Sequence, residues 1–167
     1  MDSLRPLLLL DVDGVLAPIG RPQDETLGDW HRLPPGPTWL PHAVVGELKA
    51  LVATDLWEPM WLTSWQEEAL LVGEALGLPA WPAHGKGSTP RWYEVEGGSD
   101  WWKERVVRSY LEVGRAVVWC EDGIPWQADP HLSQHYEDML LPVAPDPGVG
   151  LTPGDFLRIR RWASDRR

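Results

Sequence analysis

In Leu7-Leu8-Leu9-Leu10-Asp11-Val12-Asp13-Gly14-Val15-Leu16, an unbroken apolar run drives straight into two aspartates separated by one residue. A carboxylate can serve as nucleophile, as general acid or base, or as ligand for a hard cation. Residues i and i+2 share one face of an extended chain, and where the strand runs out both side chains can converge on one pocket. Open α/β sheets bind ligands at that end of their strands. Gly14 permits a tight exit, and Val15 and Leu16 return to apolar surroundings, so the two acids are held between anchors. Taken alone, the pair also fits ordinary turn chemistry, where aspartate is common. Groups elsewhere in the chain decide between the two.

Acids placed this way need a sheet behind them. At 167 residues and 43% hydrophobic content, the chain can bury one sizeable core and is too short for two large domains. Leu7 to Asp11 reads as a strand covered on both faces. The Pro- and Gly-rich stretch 17–40 reads as loop. A helix is expected from about Pro41, with Val44, Val45, Leu48, Leu51 and Val52 on one face. A strand from Pro59 to Thr63 then meets Ser64-Trp65-Gln66-Glu67, which fits a capping box and predicts a helix from Ser64 to Leu76, stopped by Gly77. Thr63 would then face the positive end of that helix, a setting suited to phosphate. A short strand from Ala80 to Ala83 leads into the Gly-rich segment 85–98. Ser99 or Asp100 should cap a helix through Val113, and Arg115 to Cys120 forms a strand ending in Glu121-Asp122. A short helix around Pro130 to Asp138, a strand from Leu140 to Val143 and a helix after Thr152-Pro153 complete the pattern. Alternating strands and helices predict one α/β domain over 1–167. Its architecture is a three-layer, Rossmann-like parallel sheet of about five strands with helices on both faces, and no large cap. Segments 17–40 and 85–98 would be flaps or loop insertions.

Asp11 with Asp13, Thr63 with Ser64, Lys103, and Glu121 with Asp122 thus fall at strand ends or helix starts. In order and type they resemble the four motifs of the haloacid dehalogenase superfamily, and Asp-Val-Asp-Gly-Val is the most specific of them. The resemblance spans nearly the whole chain and implies a Mg²⁺-dependent phosphomonoesterase. It assigns Asp11 as a nucleophile that forms an aspartyl-phosphate. Asp13 becomes general acid for the leaving alcohol and base for the hydrolytic water. Thr63 would donate to the phosphoryl oxygens, and Lys103 would pair with both phosphate and nucleophile. The metal would be held by Asp11, the Asp13 carbonyl, and Glu121 or Asp122, the family more often having Asp-Asp or Gly-Asp where this chain has Glu-Asp. An oxygen-only donor set is what Mg²⁺ prefers, and a phosphate monoester needs its charge neutralised before a carboxylate can attack.

Only Lys49, Lys86 and Lys103 compete for the lysine role. Lys49 falls on an amphipathic helix. Lys86, between glycines, can approach a phosphate, but Lys103 begins the helix that feeds the acidic strand, as the family order requires. His131 and His135 stand four apart without a third zinc ligand in evident register. Gly85-Lys86-Gly87-Ser88-Thr89 lacks Walker spacing, and Gly148-Val149-Gly150 lacks the strand and long helix of a dinucleotide fingerprint.

A net charge of −10, from 25 acids and 15 bases, opposes nonspecific attraction to nucleic acid or anionic membrane. Arg158, Arg160, Arg161, Arg166 and Arg167 form a basic cluster that also suits the end of a last helix. Cys120 is the only cysteine, which excludes an intrachain disulfide. The apolar run at the start is short and broken by Asp11 and Asp13, unlike a signal peptide, so a cytoplasmic location is expected. With no cap, the site would be open, suited to a macromolecular end or to a small phosphorylated substrate whose lid comes from a homo-oligomer partner. The many tryptophans and the segments Leu62-Thr63-Ser64-Trp65 and Gly150-Leu151-Thr152 also resemble a superfamily branch associated with RNA repair. That would imply a polynucleotide 3′-end phosphatase, with bases stacking on Trp30, Trp92 or Trp126. A catalytically silent phosphate- or partner-binding module is the alternative from another class.

Overall fold

Four consecutive leucines suit a strand that is covered on both faces, and Leu7–Leu10 forms β1, with every residue buried. The computed structural model describes residues 5–20, 30–33, 38–84 and 101–166. After β1 come β2 (Trp30–Leu33), β3 (Thr38–Pro41), helix α1 (His42–Val52) and β4 (Glu58–Leu62). Then follow α2 (Ala69–Ala75), β5 (Ala83–His84), α3 (Trp102–Glu112) and β6 (Val117–Cys120). Two short helices, α4 (Ile124–Gln127) and α5 (Leu132–His135), precede β7 (Leu140–Val143) and α6 (Pro153–Ser164).

The main sheet has the order β5-β4-β1-β6-β7, with every pairing parallel. The chain winds outward from β1 through β4 to β5, then crosses back to lay β6 on the other side of β1. Strand order therefore reverses between β1 and β6, which is where such sheets open a crevice at their carboxyl ends. The period of two along each strand divides the core into two layers. Leu8, Leu10, Trp61 and Cys120 pack with Leu48 of α1, Val72 of α2 and Phe156 and Ile159 of α6. Leu7, Leu9, Leu62 and Trp119 pack with Val106, Val107 and Leu111 of α3 and Leu132 of α5. The result is the three-layer α/β arrangement, without a large cap among the described residues.

Several local signals behave as their chemistry demands. Thr152 and Asp155 form a reciprocal capping box at the start of α6, with Pro153 in the first turn. Gly77 takes a φ of 65° and its N–H reaches back to the Glu74 carbonyl, closing α2. Arg160 joins α6 to α1 through a 2.6 Å ion pair with Glu47, and the Arg166 guanidinium lies 3.6 Å from the centre of the Trp162 ring. These two members of the basic cluster thus have structural partners.

Three expectations need correction. Part of the stretch read as loop is an antiparallel ribbon, β2 with β3, in which His31 pairs with Leu40 and Arg32 with Trp39. Only Leu33 and Leu40 of this ribbon are buried, so a clean alternating pattern never develops. Ser64 does not cap a helix. A short 3₁₀ turn covers Gln66–Glu68 and α2 starts only at Ala69, after Gln66 has taken a left-handed φ of 53° that interrupts the helical path. In place of one helix around 130–138, α4 and α5 are single turns. Segment 85–98, Ser99 and Asp100 lie outside the described residues, and Trp101 occupies the N-cap of α3 without a side-chain cap. No helix among the described residues is long and apolar enough to cross a membrane.

Candidate active site

Asp11 is the first residue beyond β1, and its N–H bonds the Cys120 carbonyl at 3.1 Å, which sets it beside the end of β6. Its carboxylate folds back so that Oδ1 accepts from the Val12 N–H at 2.7 Å. Oδ2 accepts from Lys103 Nζ at 2.6 Å. Lys103 occupies the first turn of α3, whose apolar face is fixed against β6 and β1, so its ammonium arrives over the switch point from the side. The same ammonium donates to Glu121 Oε2 at 2.5 Å, and Glu121 Oε1 accepts from the Gly123 N–H at 3.0 Å. Asp11, Lys103 and Glu121 are all buried. The four-atom lysine stem thus bridges the first and sixth strands where the crevice opens.

One buried cation between two buried carboxylates leaves an excess of negative charge. Burial pushes the Glu121 carboxyl up to about 8, and the Asp11 charge adds to the rise while Lys103 opposes it. For Lys103, burial alone would lower the pKa. The charges of Asp11 and Glu121 and the hydrogen bonds to both outweigh that penalty, so its pKa is raised and it stays an ammonium at neutral pH. The neighbouring Cys120 thiol is pushed up by its burial, too far for nucleophilic chemistry at neutral pH.

Asp122 completes the acidic end of β6. It is half-buried and has no hydrogen-bond or ion-pair partner among the described residues. Its carboxylate lies against the Gly14 α-carbon so closely that a methyl group there would stand 2.6 Å from Cγ and Oδ2. Gly14 also takes a φ of 72°, a region open to glycine and strained for a side chain. The glycine after the paired aspartates is therefore what lets Asp122 reach Asp11. One oxygen each from Asp11, Glu121 and Asp122 lie within 4.8 Å of one another. A donor set made only of carboxylate oxygens fits a hard divalent cation such as Mg²⁺. Glu121 already uses both oxygens within the protein, so Asp122 is the better placed of the two for the cation.

The remaining groups come from two loops facing each other across the mouth. Asp13 is exposed, in a tight turn closed by the Gly14 N–H to the Ala17 carbonyl at 2.7 Å and by the Leu16 and Ala17 N–H groups to the Val12 carbonyl. Its Oδ2 accepts from the indole Nε1–H of Trp65 at 2.6 Å. Thr63 is fully buried just past β4, and its hydroxyl oxygen accepts from the Trp65 backbone N–H at 3.2 Å. That leaves the hydroxyl proton available to a ligand oxygen. Because α2 starts only at Ala69, the dipole of a long helix does not bear on Thr63, and the hydroxyl is the donor that remains.

Compared with family models, curated proteins and solved structures, the chain matches none. The geometry brings Asp11, Lys103, Glu121 and Asp122 into one cluster, with Asp13 and Thr63 joined to each other through Trp65. Lys86 and Trp92 lie outside the described residues. His131 and His135 belong to no group of three potential metal ligands among those residues. Neither the contact of Trp65 with Asp13 nor that of Gly14 with Asp122 follows from the sequence motifs. An indole two residues beyond a strand-end threonine was the available signal for Trp65, but its partner is 52 positions away in sequence.

Proposed function

We propose that the chain is a Mg²⁺-dependent phosphomonoesterase working through an aspartyl-phosphate on Asp11. The observation that carries this reading is the Asp11 carboxylate at the switch point, held at 2.6 Å by a buried ammonium and flanked by Asp122. Each Asp11 oxygen receives one hydrogen bond and keeps a lone pair, so the carboxylate is aimed without being quenched. It attacks phosphorus, the bond to the alcohol oxygen breaks, and that oxygen departs with the electron pair and takes a proton from Asp13. Asp13, now a carboxylate, removes a proton from a water as the water attacks phosphorus and releases Asp11 and inorganic phosphate. Lys103 and the Thr63 hydroxyl bind phosphoryl oxygens. Glu121 holds Lys103 in place. Asp11, Asp122 and the Asp13 carbonyl would hold Mg²⁺, which when bound neutralises phosphate charge that would otherwise repel the nucleophile.

The net charge of −10 favours small phosphomonoesters over polynucleotide 3′ ends as substrates. The test is phosphate release from an aryl phosphate, sugar and nucleotide phosphates and a 3′-phosphorylated oligonucleotide, with Mg²⁺ and with chelator. Release that needs Mg²⁺, with a hydroxylamine-sensitive phosphoryl label on acid-quenched protein, is the expected result. No turnover of any substrate and no label would remove the enzyme reading and leave a silent binding module. Gly14→Ala should then lower divalent-cation affinity by about 10- to 100-fold by displacing Asp122, as losing a group that orients a metal ligand commonly does. Calorimetric titration with Mg²⁺ checks it, and unchanged affinity would exclude Asp122 as a ligand.

A further inference from the structure

We infer that Trp65 is a positioning residue that decides which oxygen of Asp13 hands its proton to the leaving group, an inference that rests on the phosphatase reading above. Asp13 is the exposed carboxylate of the constellation, and an exposed carboxylate on a turn is otherwise free to rotate. The indole Nε1–H is a donor with no acceptor capacity. Bound to Oδ2 at 2.6 Å, it favours the unprotonated, carbonyl-like form of that oxygen and leaves Oδ1 to carry the proton when Asp13 acts as an acid. The same residue reaches Thr63 through its backbone N–H, so one side chain and its own peptide tie the proton donor to a phosphate-binding hydroxyl on a different strand. Trp65 is itself held, half-buried against the α1, α2 and α6 core layer. Gln66, directly after it, takes a left-handed φ of 53°, a conformation unfavourable for a residue with a side chain. Strain of this kind persists where the surroundings over-determine a conformation, and it clusters at functional sites.

Proton donation matters in proportion to how poor the leaving group is. A dinitrophenolate departs without help, whereas an alkoxide must be protonated as it leaves. The parameter kcat/KM reports steps up to and including departure of the alcohol, so it isolates this role from later hydrolysis of the phospho-enzyme. In Trp65→Phe, the ratio of kcat/KM for an alkyl phosphate to that for dinitrophenyl phosphate is expected to fall about tenfold or more, a part of the ~10²–10⁴-fold that general acid catalysis supplies. Asp13→Asn should lower the same ratio, and adding Trp65→Phe to it should lower it no further, since both act through one proton. If Trp65→Phe does not fold, benzothienylalanine at position 65 keeps the shape and replaces the N–H by sulfur. A ratio equal to that of the parent protein in either variant overturns the inference while leaving the phosphatase reading intact. A parent protein inactive on dinitrophenyl phosphate overturns both.

Discussion

Asp11→Asn is expected to reduce phosphate release on the order of 10⁴-fold or more if Asp11 is the nucleophile proposed above, since Glu121 uses both carboxylate oxygens within the protein and Asp122 is assigned to the cation. Its second effect is on the pH dependence of stability in the absence of divalent cation. Burial and the Asp11 charge raise the Glu121 pKa from its ordinary value to about 8. Between those values the folded protein holds a proton that the unfolded chain has released, so stability falls as pH rises through that window. An asparagine at position 11 removes the charge that helps raise Glu121 and leaves Lys103 with a single carboxylate partner. The slope should flatten. Urea unfolding with chelator at about pH 5 and about pH 8 measures it for both proteins. A slope as steep in Asp11→Asn as in the parent would mean that Asp11 and Glu121 do not share the lysine, and retained turnover would mean that Asp11 is not the nucleophile.

Why these two acids could be found from sequence is a matter of topology. In a parallel α/β sheet the central strand is covered on both faces, so β1 reads as Leu7 to Leu10 without a polar interruption. The first acids after it stand at the carboxyl end, where the strand order reverses. Val117–Cys120 repeats the pattern, and Glu121 and Asp122 follow by the same logic. Lys103 was legible because it begins the helix that feeds the acidic strand, and the motif order of the family that the chain resembles then selects it over Lys86. The acids need only the local chain and the period of a strand, whereas the lysine needs that resemblance as well.

What escaped depends on contacts between distant segments. The β2–β3 ribbon buries one residue from each strand, and the four residues between the strands, Pro34-Pro35-Gly36-Pro37, look like loop whichever structure flanks them. The capping pattern at Ser64 is real in composition. It loses to the Thr63 hydroxyl, which accepts the Trp65 N–H, and to the left-handed Gln66 that follows. Which acid of the Glu121-Asp122 pair is free to meet a cation likewise depends on Lys103, Gly123 and Gly14, none of which a motif comparison weighs.

Lys103→Met keeps most of the side-chain stem and removes the ammonium, leaving Asp11 and Glu121 buried without their cation. Breaking a buried ion pair by deleting one partner commonly costs about 3–5 kcal/mol. A loss of that size is expected here above about pH 8, where Glu121 is ionised as well as Asp11, with chelator present and read by urea unfolding. Two measurements separate this electrostatic cause from simple misfit of methionine. Adding Glu121→Gln should restore a large part of the stability, because a single buried carboxylate then remains with an amide beside it. Saturating Mg²⁺ should also restore stability, since a ligand bound only to the folded state contributes about 2.7 kcal/mol at a hundred times its dissociation constant. Neither should restore phosphate release, because Mg²⁺ replaces the charge of Lys103 but not its contact with the phosphoryl oxygens. If the single variant lost less than about 1 kcal/mol, the exposed-pair range, the lysine would not be the counter-charge that holds the two strand ends together. If Glu121→Gln left the loss unchanged, the cost would lie in packing, and the geometry around Asp11 would have to be held by its backbone contacts to Val12 and Cys120.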